Sequence, residues 1–228
     1  MNTPDALKVT PLKGLRGMIA NNMRRSLDEA AQLTHHAVCC VDNLWLRKKK
    51  MAEQGKNVSF EDLLADYVVE TLRKHPVING RVEENEIRLS RSIDLSFAIA
   101  LPGNKLMAPA VFSADQKDLH ERAAARKDVV DRAKAGKLTV SEMTGGTFTL
   151  TNLGRSRVRH FTPIINLPQI AILGVGETYN ELALTETGDL VTKKLMGLSL
   201  TFDHRAIDGG PAADFLTDLC LEIESPKE

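Results

Sequence analysis

Hydrophobic residues recur every three or four positions in several stretches of the chain, and this spacing predicts amphipathic helices. The first helix is predicted over 15–30, with an apolar face made of Leu15, Ile19, Met23 and Leu27. Ser59-Phe60-Glu61-Asp62 resembles a capping box, and the apolar stripe that follows it ends before His75. Further helices are predicted over 45–54, 115–135 and 212–223.

Runs of β-branched and aromatic residues, separated by Gly and Pro, predict strands. These runs are Ala37–Val41, Ile87–Leu89, Ile93–Leu101, Leu106–Phe112, Thr147–Asn152, Gln169–Val175 and Leu195–Phe202. The second and third are predicted to form a hairpin. Pro109 cannot donate a ladder hydrogen bond, so it is predicted at an edge or a bulge. The whole pattern predicts an α/β (α+β two-layer) fold with a mixed sheet flanked by helices.

Composition narrows the class of protein. The chain has 228 residues and is 43% hydrophobic, enough for one domain over 12–228 behind a polar N-terminal arm over 1–11. Thirty basic and 30 acidic residues give no net charge, so neither nucleic acid nor a membrane is an expected partner. Three cysteines without disulfide or metal-ligand spacing, and no export signal, predict a cytoplasmic protein with no metal site.

A cluster of ionisable residues follows the last predicted strand: Asp203-His204-Arg205-Ala206-Ile207-Asp208-Gly209-Gly210. At a strand end, His204 would be held rigidly and would still face a cleft, as a general base requires. An alternative is that Asp208 caps the last helix and His204 has no catalytic role.

The order of several motifs resembles one family. The motifs, in chain order, are Leu12–Ala20, His75–Gly80, Leu106–Val111, Gly145–Gly154, Phe161–Gly174 and the Asp203–Gly210 cluster. Together they resemble the catalytic domain of the dihydrolipoamide acyltransferases, the core subunits of 2-oxo acid dehydrogenase complexes. This resemblance implies a chloramphenicol acetyltransferase-like fold and acyl transfer between dihydrolipoamide and coenzyme A.

The resemblance also implies site residues. His204 would be the base, Thr151 the donor to the oxyanion and Asp208 an orienting group. Without the family motif, Thr151 would be interpreted as an ordinary β-branched strand residue. Arg16 could pair with Asp208, and Arg205 would brace the structure. Active sites would form between neighbouring subunits of a homotrimer, with His204 facing Thr151 of another chain, and trimers could build a cubic or dodecahedral core.

The chain departs from the family pattern in two places. Arg155, Arg157 and Arg159 replace a mostly uncharged stretch; they could bind the phosphates of coenzyme A or form a solvated loop. No lipoyl or peripheral-subunit-binding domain is recognised, so the dihydrolipoyl group is expected from a separate lipoyl carrier domain or chain, with the dehydrogenase components as further partners. Two other functions remain open: a non-catalytic oligomeric scaffold, and a coenzyme A-dependent acyltransferase with a different acceptor.

Overall fold

A six-stranded mixed sheet organises the part of the chain that the computed structural model describes, namely residues 9, 11–101 and 105–226. The arm predicted over 1–11 lies almost entirely outside the described residues. The helices are α1 (Gly14–Glu29), α2 (Asp42–Glu53), α3 (Phe60–Lys74), α4 (Leu119–Lys134), α5 (Val140–Thr144) and α6 (Gly209–Glu224). The strands are β1 (Gln32–Cys40), β2 (Gly80–Glu83), β3 (Glu86–Leu89), β4 (Leu95–Phe97), β5 (Ile99–Leu101), β6 (Lys105–Met107), β7 (Ala110–Val111), β8 (Phe148–Asn152), β9 (Ala171–Leu184) and β10 (Leu190–Asp203).

The main sheet has the strand order β1-β10-β9-β8-β4-β7. Strand β10 is antiparallel to both β1 and β9, whereas β8 is parallel to β9 and to β4. Helices α3 and α6 pack together, and buried apolar side chains of both helices share one core with those of the sheet. The prediction of a mixed sheet flanked by helices is therefore confirmed.

Helix α3 is the most deeply buried helix, and its ends follow from its sequence. Ser59 and Asp62 form the reciprocal capping box, which satisfies free N–H groups at the start of the helix. Its carboxylates are then held by arginines of the flanking helices. Asp66 pairs with Arg47 of α2 and Arg122 of α4, and both partners keep only a small exposed fraction of side chain. Charged groups inside this layer are thus paired, as burial requires.

The predicted hairpin between Ile87–Leu89 and Ile93–Leu101 is wrong. Strand β3 pairs instead with β2, through a tight turn at Glu84 and Asn85, both of which have positive φ. Strand β2 carries few apolar residues, so its alternation gave little signal. The second predicted strand divides into β4, which enters the main sheet, and β5, which pairs with β6.

Other boundaries also differ from the sequence prediction. The segment predicted as one strand over Leu106–Phe112 is divided at Ala108 and Pro109, because proline cannot continue the ladder. Helix α5 was not predicted. Strands β9 and β10 are longer than predicted, and the hairpin that they form extends beyond the carboxyl end of β8. Among the described residues, no helix combines the length and apolarity needed to cross a bilayer.

Glycines on β9 and β10 allow a loop segment to lie directly on the sheet. A Cβ atom at Gly176 or Gly197 would overlap the carbonyl oxygen of Arg159. A Cβ atom at Gly174 would come within 2.7 Å of the Phe161 ring. The backbone of this segment is fixed there, because Glu177 N–H donates to the Val158 carbonyl at 2.9 Å. Only residues without a side chain fit beneath it.

Replacing Gly176 with Ala should therefore displace this loop segment and destabilise the fold. We expect Gly176→Ala to lower the free energy of unfolding by about 1–3 kcal/mol, the usual cost of overpacking. The control is Gly210→Ala, since a Cβ atom at Gly210 meets no heavy atom within 4 Å. Urea unfolding followed by circular dichroism measures both. Equal stability of the two variants would contradict the proposed close contact.

Candidate active site

His204 is the first residue after β10, and the turn that carries it is tied to the protein through the backbone. Its N–H donates to the Ala31 carbonyl at 2.8 Å. The N–H groups of Ala206 and Ile207 both donate to the Asp203 carbonyl. Helix α6 begins at Gly209, immediately after this turn. The imidazole therefore projects from a short, well-anchored segment between a strand and a helix.

The carboxylate of Asp203 is the anchor beneath this turn. Asp203 is fully buried, and its side chain accepts hydrogen bonds from the N–H groups of Ala31 and Arg205. The Arg205 guanidinium donates to both carboxylate oxygens, from Nε to Oδ1 at 3.0 Å and from Nη2 to Oδ2 at 2.6 Å. This pairing raises the pKa of Arg205, because the adjacent carboxylate stabilises the cation. Arg205 thus contacts Asp203 and not the open side of the turn.

The side chains of His204 and Asp208 are both accessible. The His204 side chain is 43% exposed, and its Nδ1 lies 3.8 Å from Oδ1 of Asp208, just beyond hydrogen-bond distance. Asp208 occupies the N-cap position of α6, yet its carboxylate makes no capping hydrogen bond and is 88% exposed. The alternative in which this carboxylate caps the helix is therefore wrong. Both groups are free to meet a ligand or another chain.

Two aromatic rings lie behind His204. The buried Phe202 ring packs against it with a centroid distance of 5.8 Å, and His35 of β1 meets Phe202 edge-on at 5.0 Å. The imidazole thus lies beside an apolar ring.

Thr151 lies near the carboxyl end of β8, well separated from His204. It is level with Gly174 on β9, which in turn is level with Ser199 on β10. His204 is five residues beyond Ser199, so the two sites are about 16 Å apart along the strands and about 10 Å apart across them, or ~19 Å in all. A single chain does not bring Thr151 and His204 together.

A cavity of about 350 Å³ opens beside the end of β8, next to Thr151. It is lined by Glu61, Ala98, Asn152, Leu153, Arg155 and Ser156. The Asn152 side chain accepts a hydrogen bond from the Gly154 N–H at 2.7 Å, which holds the turn after the strand. Sequence reasoning missed Glu61, because α3 and β8 are about 90 residues apart along the chain and no local motif links them.

The three arginines of the segment after β8 have different surroundings. Arg155 lines the cavity, and Arg157 is exposed. Arg159 forms an ion pair with Glu177 at 3.3 Å and stacks on the Tyr179 ring at 3.8 Å. Arg16 lies in the first turn of α1 and is partly buried. Its pairing with Asp208 remains a prediction.

Sequence reasoning also missed a pair of histidines that fastens this arginine segment to the sheet. His36 of β1 and His160 meet edge-on at 5.2 Å, and the His36 ring bonds to the Ser199 hydroxyl at 2.9 Å. Burial and the neighbouring His160 lower the pKa of His36. The neutral ring is therefore favoured here. Nothing in the sequence pairs these positions, since they lie on different elements.

The two aspartates of the His204 turn should contribute very differently to stability. We expect Asp203→Ala to lower the free energy of unfolding by about 3 kcal/mol, because it removes the buried carboxylate that accepts from two backbone N–H groups and an arginine. The exposed Asp208 provides the matched control, and Asp208→Ala should change stability by less than about 0.5 kcal/mol. Urea denaturation measures both, and a similar loss in the two variants would refute the anchoring role of Asp203.

Comparison with known sequences identifies relatives across the chain. Residues 4–228 match the sequence model described as 2-oxoacid dehydrogenases acyltransferase (catalytic domain). The Bacillus subtilis dihydrolipoyllysine-residue acetyltransferase component of the acetoin cleaving system is 35% identical over 95% of this chain and 55% of its own length. The dihydrolipoyllysine-residue acetyltransferase component of the Rickettsia felis pyruvate dehydrogenase complex is 31% identical over 98% of this chain and 55% of its own length. This chain thus spans about half the length of these relatives.

Solved structures give the same result. A probable dihydrolipoamide acetyltransferase from Listeria monocytogenes superposes with a TM-score of 0.89 at 26% identity, over 97% of this chain and 96% of that one. A truncated catalytic core of the Thermoplasma acidophilum 2-oxoacid dehydrogenase multienzyme complex gives 0.86 at 30%, over 97% and 100%. Chloramphenicol acetyltransferase shares the fold, with a TM-score of 0.57 at 15% identity over 95% of this chain and 97% of that one. The chain belongs to the 2-oxoacid dehydrogenase acyltransferase (catalytic domain) family.

Proposed function

We propose that this chain transfers an acyl group between dihydrolipoamide and coenzyme A, at sites that each use two copies of the chain. The observation that carries the proposal is the placement of His204. Its imidazole is accessible, lies beside Phe202 and is held by an anchored turn at a strand end. A neutral imidazole in such a position can accept a thiol proton near pH 7.

The chemistry moves one acyl group and one proton. His204 removes the proton from the attacking thiol, and the resulting thiolate adds to the thioester carbonyl carbon. The Thr151 hydroxyl of a neighbouring copy donates to the oxyanion that forms. When the tetrahedral adduct collapses, the carbon–sulfur bond to the first thiol breaks, and that sulfur takes the proton from the imidazolium. The attacking thiol thus becomes the new thioester, and the sulfur of the original thioester leaves as a thiol.

Asp208 is assigned an orienting role in this mechanism. It faces Nδ1 of His204 at 3.8 Å, which leaves Nε2 for the thiol. One solved relative, the Azotobacter vinelandii dihydrolipoamide acetyltransferase, is titled for the catalytic roles of a serine, a histidine and an asparagine, the last two four positions apart. His204 and Asp208 have the same spacing. A hydrogen-bonding side chain at this position is therefore sufficient, and a charge is not needed.

The assembly follows from the separation of Thr151 and His204. Since the strand register keeps them well apart within one chain, a second copy supplies the missing group to each proposed site. A cyclic trimer meets this need with identical heterologous contacts. One relative of known structure is titled as the cubic core of the pyruvate dehydrogenase multienzyme complex, which supports trimers that associate into a larger core.

Substrates and partners complete the proposal. Coenzyme A places its phosphates near Arg155 and Arg157, whereas Arg159 is held by Glu177 and Tyr179 and shapes the loop. The dihydrolipoyl arm is carried by a lipoyl domain, on a separate domain or chain. Dehydrogenase components of the complex, in the cytoplasm, supply the acyl group.

The first test is kinetic. With acetyl-, succinyl- and branched-chain acyl-coenzyme A and free dihydrolipoamide as substrates, we expect His204→Ala to reduce kcat by roughly 10²- to 10⁴-fold. Thr151→Val should reduce it by roughly 10²- to 10³-fold, since it removes the oxyanion donor and keeps the side-chain shape. Turnover by His204→Ala equal to that of wild type removes the proposal. A stable assembly without any thiol-dependent activity would instead support the scaffold function.

A mixing experiment tests whether two chains build each site. Chains carrying His204→Ala are co-expressed with chains carrying Thr151→Val, so that some sites combine the intact histidine of one chain with the intact threonine of another. With random association, about a quarter of the sites are complete, and we expect about that fraction of wild-type activity. A mixture of wild-type chains with chains carrying both substitutions provides the calibration. Mixed assemblies no more active than either variant would place both groups of a site in one chain.

The arginine segment is tested through substrate affinity. We expect Arg155→Ala and Arg157→Ala each to raise KM for acyl-coenzyme A by about 3- to 10-fold, with KM for dihydrolipoamide unchanged, because a charge-assisted phosphate contact is lost. Lys50→Ala, which removes an exposed cation of α2, is the control for net charge. If KM stays at the wild-type value in both arginine variants, the segment is a solvated loop.

A further inference from the structure

Two of the three cysteines meet where α6 crosses the end of β1. Cys39 is fully buried on the face of β1 that α6 covers, and its Sγ donates to the Met196 carbonyl of β10 at 3.8 Å. Cys220 lies in the last turns of α6, partly exposed, and packs against the same apolar core. The proposed acyl transfer uses neither thiol.

The environment makes these two thiols chemically different. Hydrogen bonding between them raises the pKa of Cys39, and burial adds to this effect. The same hydrogen bond lowers the pKa of Cys220, against the opposing effect of burial. The two thiols also differ in exposure, since Cys39 is fully buried whereas Cys220 is partly exposed. A partly exposed thiol beside a buried thiol is the arrangement in which the first reacts with an oxidant and the second resolves the product.

We propose that Cys220 is a peroxide-reactive modification site and that Cys39 is its resolving thiol. One oxygen atom of hydrogen peroxide transfers to the Cys220 sulfur, which gives a sulfenic acid and one water. The Cys39 sulfur then attacks the sulfenic sulfur of Cys220 and forms the disulfide bond. The sulfur–oxygen bond of the sulfenic acid breaks, and its hydroxyl leaves with the Cys39 proton as a second water. Two thiols and one peroxide thus yield one disulfide and two waters, with two electrons passed to the peroxide.

The disulfide would join α6 to β1 near the end of each element. Helix α6 starts at Gly209, directly after the turn that carries His204, and β1 contacts β10 along its whole length. A covalent link between them ties α6, which begins after this turn, to the strand that pairs with β10. Because thiols reduce disulfides by exchange, the modification is reversible by a dithiol.

Cys40 provides an internal contrast. It neighbours Cys39 in sequence, but successive residues of a strand face opposite sides of the sheet. Its Sγ donates to the Asp42 carboxylate at 3.3 Å, and burial raises its pKa. Cys40 is therefore neither directed at α6 nor activated, and it should remain reduced under the same conditions.

The experiment treats the full chain with one equivalent of hydrogen peroxide and maps thiols and disulfides by tandem mass spectrometry of non-reduced peptides. In wild type we expect a Cys39–Cys220 disulfide that dithiothreitol reverses. The matched control Cys40→Ser should form the same link to the same extent. In Cys39→Ala the sulfenic acid at Cys220 cannot be resolved, so we expect it to be trapped there by dimedone.

Other outcomes overturn the proposal. These are oxidation of wild-type Cys220 to a sulfinic acid without a link, a disulfide through Cys40, a disulfide between two copies, or no reaction at Cys220. In Cys220→Ser, dimedone labelling of Cys39 would show that the buried thiol reacts first, which contradicts the assigned order. Circular dichroism of each variant before treatment confirms that the comparison is between folded proteins.

Discussion

The relative direction of β8 and β10 is the constraint on which the active site depends. Strand β9 lies between them, parallel to β8 and antiparallel to β10. The strands β8 and β10 therefore run in opposite directions, and their carboxyl ends point away from each other. Thr151 is near one of these ends and His204 follows the other. No rotation of side chains or adjustment of loops can bridge this separation. The fold therefore holds Thr151 and His204 apart, and the acyl transfer proposed for them requires a second copy.

Anchoring by a buried charge lets the histidine half-site be both rigid and accessible. Asp203 and Asp208 are five residues apart in the same turn, yet one is fully buried and the other is 88% exposed. The buried carboxylate gathers two backbone N–H groups and the Arg205 guanidinium, so its charge is compensated locally. The exposed carboxylate keeps its lone pairs free beside His204. Within one short segment, Asp203 thus supports the structure and Asp208 remains available for the proposed chemistry.

Sequence patterns revealed the features that are encoded locally. The capping box of α3, the strand before His204 and the ordered motifs each depend on neighbours within a few residues. The β2–β3 hairpin was missed because its register depends on a turn with positive φ at Glu84 and Asn85 and not on apolar alternation. Glu61 beside the β8 cavity, and His36 against His160, are contacts between distant elements. Such contacts arise only when the chain folds.

The arginine segment illustrates how a change in charge can be accommodated without a change in fold. Backbone atoms of this segment lie on the sheet where Gly176 and Gly197 leave room for the Arg159 carbonyl, so the path of the chain depends on these glycines and not on the side chains above them. Arginines can then occupy the segment at little structural cost. Glu177 and Tyr179 hold Arg159, which leaves Arg155 beside the cavity and Arg157 in solvent. Arg159 is thus a fixed support, whereas the exposed side chains of Arg155 and Arg157 are the two available for the proposed contact with the phosphates of coenzyme A.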